Sequence, residues 1–255
     1  MEQPIPSETR VDFDNRPIAV RIGLVLLATD HTSERDFARI LPREEVAVYG
    51  NRIAFRNPTT PENLRAMEPE LVEGARLILP DEPLDAICYA CTAASAVLGD
   101  EAVLAALEKG KPGVPAVTPP LASRKGLVAL EAQRISVLTP YLDDTAAPVV
   151  DYFVGHGFTI DRVTNLGIDD DRTIARVATR SIVEAARHAL HEESDALFVS
   201  CTALRAAEVA AAIEALTGRP VVTSNQASAW MCLRLAGIDR SIAGYGRLLS
   251  LALPE

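Results

Sequence analysis

The chain has 255 residues, 48% of them hydrophobic, enough to bury one large core or two cores of ordinary domain size. Its 25 basic and 35 acidic side chains leave a net charge of −10, which argues against nucleic acid as a partner, because a phosphate backbone needs a basic surface. Four cysteines, Cys88, Cys91, Cys201 and Cys232, are too few for a disulfide framework, so free thiols and a soluble, cytoplasmic protein are expected.

Residues Met1 to Pro17 carry three prolines and several charges without periodicity, as an N-terminal arm would. The apolar run Ile18–Ala28, interrupted by Arg21, is too short to span a bilayer, and what precedes it is no signal peptide, so no membrane partner is expected. Short β-rich apolar runs follow at Arg21–Ala28, Asp85–Ala90, Arg134–Thr139, Asp195–Ser200 and Pro220–Thr223, with Ala/Leu/Glu-rich stretches between them. That alternation predicts α/β architecture with parallel sheets flanked by helices. Thr60-Pro61-Glu62 reads as a capped helix start, with Pro in the first turn, and the helix is expected to run to about Leu79. Asp143-Asp144-Thr145 opens another, and Thr173–Glu193 has apolar residues at helical spacing.

The elements repeat. Asp85-Ala86-Ile87-Cys88-Tyr89-Ala90-Cys91-Thr92-Ala93 is echoed by Asp195-Ala196-Leu197-Phe198-Val199-Ser200-Cys201-Thr202-Ala203. Arg21-Ile22-Gly23-Leu24-Val25 returns as Arg134-Ile135-Ser136-Val137-Leu138, and Gly113-Val114-Pro115-Ala116-Val117-Thr118 as Gly218-Arg219-Pro220-Val221-Val222-Thr223. Three landmarks recurring in one order, each roughly 110 positions later, indicate a duplicated, doubly wound α/β domain with a pseudo-twofold between its copies. The helix-like stretches Pro119–Leu130 and Ser224–Ala236 follow the two Gly-x-Pro strands, and one of them is expected to cross the junction. The expected division is an arm at 1–17, a first domain of 18–120 plus 227–255, and a second of 121–226.

In parallel α/β sheets ligands gather beyond the carboxyl ends of the strands, where both Cys-Thr-Ala segments fall. Backbone N–H groups at a helix start favour an anion, whether a thiolate or a substrate carboxylate. Two domains facing across a pseudo-twofold would set Cys91 and Cys201 on opposite walls of one cleft. Moving a proton from one face of a carbon to the other requires such a pair. Free cysteine often only fills space, and Cys88, inside an apolar run, and Cys232, in Trp230-Met231-Cys232-Leu233, read that way. His31 follows the first strand and is within reach of the cleft, whereas His156, His188 and His191 read as solvated. Without a Gly-x-Gly-x-x-Gly after the first strand, a phosphate loop or a histidine-rich set, no cofactor and no metal is expected.

Taken together, the segment Arg21–Thr32, Tyr89-Ala90-Cys91-Thr92-Ala93-Ala94-Ser95, Leu138-Thr139-Pro140-Tyr141-Leu142-Asp143-Asp144, Leu166-Gly167-Ile168, Ser200-Cys201 and Pro220-Val221-Val222-Thr223-Ser224-Asn225 resemble the aspartate/glutamate racemase superfamily. The branch resembled holds maleate cis-trans isomerase, arylmalonate decarboxylase and the ectoine-utilisation protein EutA, and the resemblance runs from Arg21 to Ile238. It implies that Cys91 matches the first catalytic cysteine of the isomerases and racemases, where decarboxylases have glycine, and that Cys201 matches the second. Tyr141 matches a tyrosine that binds a substrate carboxylate, and Thr92, Ala93 and Thr202 match donors around that anion. Maleate isomerases have asparagines that fall on Asp30 and, within the run Asp169-Asp170-Asp171, on Asp171. An acid beside a second carboxylate is repelled by about 1 kcal/mol or more at ~4 Å even in water. The expected substrate is therefore a small carboxylate that also carries an amino or amidinium group, unless both acids are only solvated loop or cap residues. The resemblance implies a cofactor-independent isomerase or racemase, EutA-like, in ectoine or hydroxyectoine breakdown. Maleate isomerisation is the alternative, and a two-lobed small-metabolite binding module is the alternative of another class. A homo-oligomer is expected.

Overall fold

Two four-stranded parallel sheets, each wound with helices, make up this computed structural model, which describes residues 5–254. The first half runs β1 (Val20–Leu27), α1 (Ser33–Ile40), β2 (Val46–Ile53), α2 (Pro61–Arg65), α3 (Leu71–Arg76), β3 (Ala86–Tyr89), α4 (Thr92–Leu98), α5 (Asp100–Gly110), β4 (Ala116–Val117) and α6 (Pro119–Ala129). The second runs β5 (Arg134–Thr139), α7 (Asp143–Gly155), β6 (Thr159–Asn165), α8 (Asp171–Ile174), α9 (Thr179–Ala189), β7 (Ala196–Val199), α10 (Ala210–Thr217), β8 (Val221–Thr223) and α11 (Ser224–Leu235). Strand orders are β2-β1-β3-β4 and β6-β5-β7-β8, the same order twice, which is the expected duplicated α/β fold.

All five expected apolar strands form, because side chains buried on both faces of a parallel sheet give continuous apolar runs. The repeated aspartate that opens each nonapeptide has a structural task. Asp85 Oδ2 accepts the Arg21 N–H at 2.7 Å, and Asp195 Oδ2 accepts the Arg134 N–H at 2.8 Å, so each ties the start of a cysteine-bearing strand to the central strand. Edge strands β2 and β6 were not evident from the pattern. Their residues are largely half-exposed and include Asn51, Arg52, Asp161 and Arg162, so no apolar run marks them.

Two helices are shorter than expected. The helix starting at Pro61, capped by the Thr60 hydroxyl, stops at Arg65, and a 3₁₀ turn at Glu68–Glu70 precedes α3, because Pro69 has no N–H to continue the α-helical ladder. The stretch expected at Thr173–Glu193 divides into α8 and α9 at Ala178, whose backbone is extended. Neighbouring Val177 gives its carbonyl to Arg205 at 2.8 Å.

The last helix of each half packs onto the other half: α11 lies against α6, α1, β3 and β4, and α6 lies against α11 and β8. Helix α11 is buried on every side, which accounts for its apolar Trp230-Met231-Cys232-Leu233 stretch. A reciprocal capping box of Thr223 and Gln226 starts it. Of the expected arm, Met1–Pro4 lie outside the described residues. Residues 5–19 form no helix or strand, and Arg16 pairs with Asp85. Among the described residues no helix is long and apolar enough to cross a membrane.

Candidate active site

Cys91 follows β3 directly and is the N-cap of α4, while Cys201 follows β7. The two thiols therefore leave equivalent strands of the two sheets. Both are buried, at 6% and 4% exposure. They lie close enough that charge on Cys201 acts on Cys91, and the Asp171 carboxylate acts on both. Cys88 and Cys232 pack in the core, one on β3 and the other on α11, as their apolar surroundings indicated.

Burial is the main force on both thiols and pushes each well above the ordinary range, Cys201 to about 12. The Asp171 charge pushes both further in the same direction. Opposing it at Cys91 is the Ala94 N–H, and at Cys201 the Tyr141 hydroxyl with the N–H groups of Leu204 and Ala203. Burial and the Asp171 charge thus both disfavour the thiolate at each position.

Asp171 reaches this position through contacts between the two halves. Its Oδ2 accepts from Thr29 Oγ1 at 2.6 Å, and its N–H donates to Asn57 Oδ1 at 3.1 Å. The Thr59 N–H donates to the Asp169 carbonyl at 2.6 Å. The acidic run is thereby clipped against the loop after β2 and the turn after β1. Within it the roles separate: Asp170 caps α8 through Thr173 and pairs with Arg172, whereas Asp171 is 7% exposed and turned toward the thiols. Burial raises the Asp171 carboxyl to about 6, with the Thr29 hydroxyl opposing and the neighbouring Asp30 charge adding to the rise.

Asp30 has a different fate. It too is buried, but Oδ1 accepts the Thr32 and Ser33 N–H groups at 2.8 Å and Oδ2 accepts the Ser33 hydroxyl at 2.6 Å, so its carboxylate caps α1. A ligand cation would meet Asp171 more directly, since Asp171 Oδ1 has no hydrogen bond among the described residues. His31 is exposed at the rim and acts on Asp171 electrostatically.

Tyr141, buried just after β5, stands beside both sulfurs. Thr92 and Thr202 are present, but their hydroxyls are engaged inside the protein: Thr92 donates to Ser224 Oγ at 2.8 Å and Thr202 to the Ala90 carbonyl at 3.0 Å. What Thr92 and Ala93 present to a ligand is backbone N–H in the first turn of α4, where no residue of the helix accepts it. The site therefore brings together free N–H groups at the start of α4, the Asp171 carboxyl and the thiols of Cys91 and Cys201. Two residues that support it, Thr29 and Asn225, stand in the quoted motifs. Their polar side chains beside apolar strands were the available signal.

The arylmalonate decarboxylase family model matches residues 42–249. Maleate isomerase of Nocardia farcinica is 30% identical over 240 residues, covering 90% of this chain and 95% of the relative. Arylmalonate decarboxylase of Bordetella bronchiseptica is 28% identical, covering 89% and 95%. Among solved structures, a cysteine-to-serine mutant of the Nocardia farcinica maleate cis-trans isomerase with a covalently bound succinylcysteine intermediate superimposes with a TM-score of 0.83 at 28% identity, covering 91% of this chain and 98% of that one. A liganded arylmalonate decarboxylase in which one glycine is changed to cysteine and one cysteine to serine gives 0.78 at 27% identity, covering 90% and 98%.

Proposed function

Because the chain belongs to the arylmalonate decarboxylase family, within the aspartate/glutamate racemase superfamily, we propose that it is a cofactor-independent isomerase or racemase of a small amino carboxylic acid. Cys91 and Cys201 are its two reacting groups. The observation that carries this reading is a pair of thiols at equivalent strand ends with one buried carboxylate, Asp171, acting on both. The substrate carboxylate sits against the N–H groups of Thr92 and Ala93 with Tyr141 alongside, and the substrate cation pairs with Asp171. That pairing cancels a charge that adds to burial in disfavouring both thiolates, so with substrate bound one thiol releases its proton to solvent more readily. One thiolate then takes the proton from the carbon between the two charged groups. The opposite thiol returns a proton to the other face, leaving the two sulfurs with exchanged protonation. A cytoplasmic, EutA-like role in ectoine or hydroxyectoine breakdown is the most specific form of this proposal.

A second reading, maleate isomerisation, is favoured by the 30% identical relative. Cys91 would add to the double bond, the resulting single bond would rotate, and elimination would restore the thiol. The acid at position 171 argues against it, since a second carboxylate would meet Asp171 rather than a neutral donor.

The two readings separate in D₂O. With maleate, aspartate, diaminobutyrate derivatives, ectoine and hydroxyectoine followed by NMR, the proposed activity exchanges one carbon-bound hydrogen of an amino or amidinium acid. Cys91→Ser and Cys201→Ser each abolish that exchange. Conversion of maleate to fumarate, undiminished by Asp171→Asn, would establish the second reading, and exchange unaffected by either cysteine substitution would sink the two-thiol chemistry.

A further inference from the structure

The two thiols are presented by different means. Behind Cys91 the chain enters α4 at once, and the helix holds the turn. Behind Cys201 there is no regular element until the 3₁₀ turn at Ala207, and Cys201 itself has φ of +92°, a left-handed backbone that a side chain with a Cβ rarely adopts. Such a conformation persists only where its surroundings over-determine it.

Those surroundings are the side chains of Thr32, the N-cap residue of α1, and of Asn225 on α11. The Thr32 hydroxyl donates to the Ala203 carbonyl at 2.7 Å, and Asn225 Nδ2 donates to the Thr202 carbonyl at 2.8 Å. Carbonyls on two consecutive residues are thus held from outside the turn. The same peptide planes carry the N–H groups of Ala203 and Leu204, both of which act on the Cys201 sulfur in favour of its thiolate. The orientation of the Asn225 amide is itself set. Its Nδ2 also donates to Asp36 Oδ2 at 2.9 Å, so both amide hydrogens have buried acceptors. All of these groups are buried.

We propose that Thr32 and Asn225 are positioning residues for Cys201: they hold its strained turn so that the Ala203 and Leu204 N–H groups face the sulfur, in place of the helix that serves Cys91. Asp36 locks the Asn225 amide with its NH₂ toward Thr202. The consequence is specific to one thiol. Losing either tether lets the turn relax, withdraws N–H groups from the Cys201 thiolate and leaves Cys91 as it was.

The inference rests on the reading of Cys201 as a reacting group, but its test reads the thiol and needs no substrate. Folded Thr32→Val, Thr32→Ser and Asn225→Ala proteins are treated with iodoacetamide across a pH series, and alkylation at Cys91 and Cys201 is resolved by peptide mass spectrometry. Thr32→Val and Asn225→Ala should lower the Cys201-to-Cys91 rate ratio about tenfold at a fixed pH and move the Cys201 profile to higher pH. Thr32→Ser, which keeps the hydroxyl, should restore both. A ratio that is unchanged or raised in Thr32→Val would overturn the proposal. So would equal losses at the two thiols, which a general loosening of the fold would produce. If the D₂O exchange fails while the ratio falls, the positioning role stands and the assigned activity does not.

Discussion

Replacing Asp171 by asparagine removes one charge from the cleft and changes little else. Asparagine keeps an oxygen to accept from Thr29 and the backbone N–H that meets Asn57. The carboxyl, raised by burial to about 6, is ionised at pH 8 and opposes thiolate formation at both Cys91 and Cys201. Two like charges ~6 Å apart at an effective dielectric of about 20 interact by about 3 kcal/mol. Relaxation and water reduce such a value, so a fall of about one pH unit in each thiol pKa is the working expectation, worth about 1.4 kcal/mol. The sign follows directly: losing a negative neighbour favours the thiolate, and each pKa moves down from its raised position. Burial is unchanged, so neither thiol reaches its ordinary range. Iodoacetamide alkylation at pH 8, resolved by site, should then speed up about tenfold at Cys91 and at Cys201 together. Unchanged rates at both sites would refute the assignment of Asp171 as their shared electrostatic partner. A gain at Cys91 alone would mean that the carboxylate does not act on the second thiol.

Three further outcomes test the packing and the electrostatics. A Cβ built on Gly110 lies 2.5 Å from the Val72 carbonyl and 2.7 Å from Ala75 Cβ, backbone and methyl that cannot swing away, so Gly110→Ala should cost about 1–3 kcal/mol in urea denaturation; wild-type stability would contradict the close packing of α5 on α3. Thr223→Ala removes the side-chain half of the α11 capping box and should cost about 1 kcal/mol, read as a lower denaturation midpoint with the same slope. Asp36, on α1, is raised by burial from 3.8 to about 7, so the folded state holds a proton that the unfolded state releases. Its contribution is fully present below about pH 4 and is lost as pH rises through about 7, a fall of a few kcal/mol at most. Asp36→Asn should flatten that part of the stability profile, and an equally steep decline in the variant would point to other groups.

Legibility in the sequence tracked burial along the chain. The five strands buried on both faces appear as apolar runs, and edge strands β2 and β6 do not, because half-exposed residues such as Asn51 and Arg162 erase the pattern. The helix expected from Pro61 to about Leu79 rests on its capping signals and the Thr173–Glu193 one on helical spacing, yet Pro69 interrupts the first and the extended backbone at Ala178 the second. Both cysteines at strand ends were readable from their duplicated context. The contacts made by Thr29, Asn57, Thr32 and Asn225 were not, even where the residue stands in a quoted motif, since each acts on a residue well separated along the chain.

By itself the sequence determined the duplication, the α/β class and the separation of Cys91 and Cys201 from the core thiols, because strand periodicity and repeated motifs are local properties of the chain. Only the tertiary structure separated the acids by their partners. Asp170 and Asp171 are indistinguishable as letters in a run of three, but a hydrogen bond from Thr29, 142 positions away, turns one toward the thiols and leaves the other as a helix cap. Asp30, equally acidic and equally buried, is absorbed by the start of α1. The role of a side chain is set by the partners that reach it in space, local ones for Asp30 and Asp170 and ones from the other half of the molecule for Asp171.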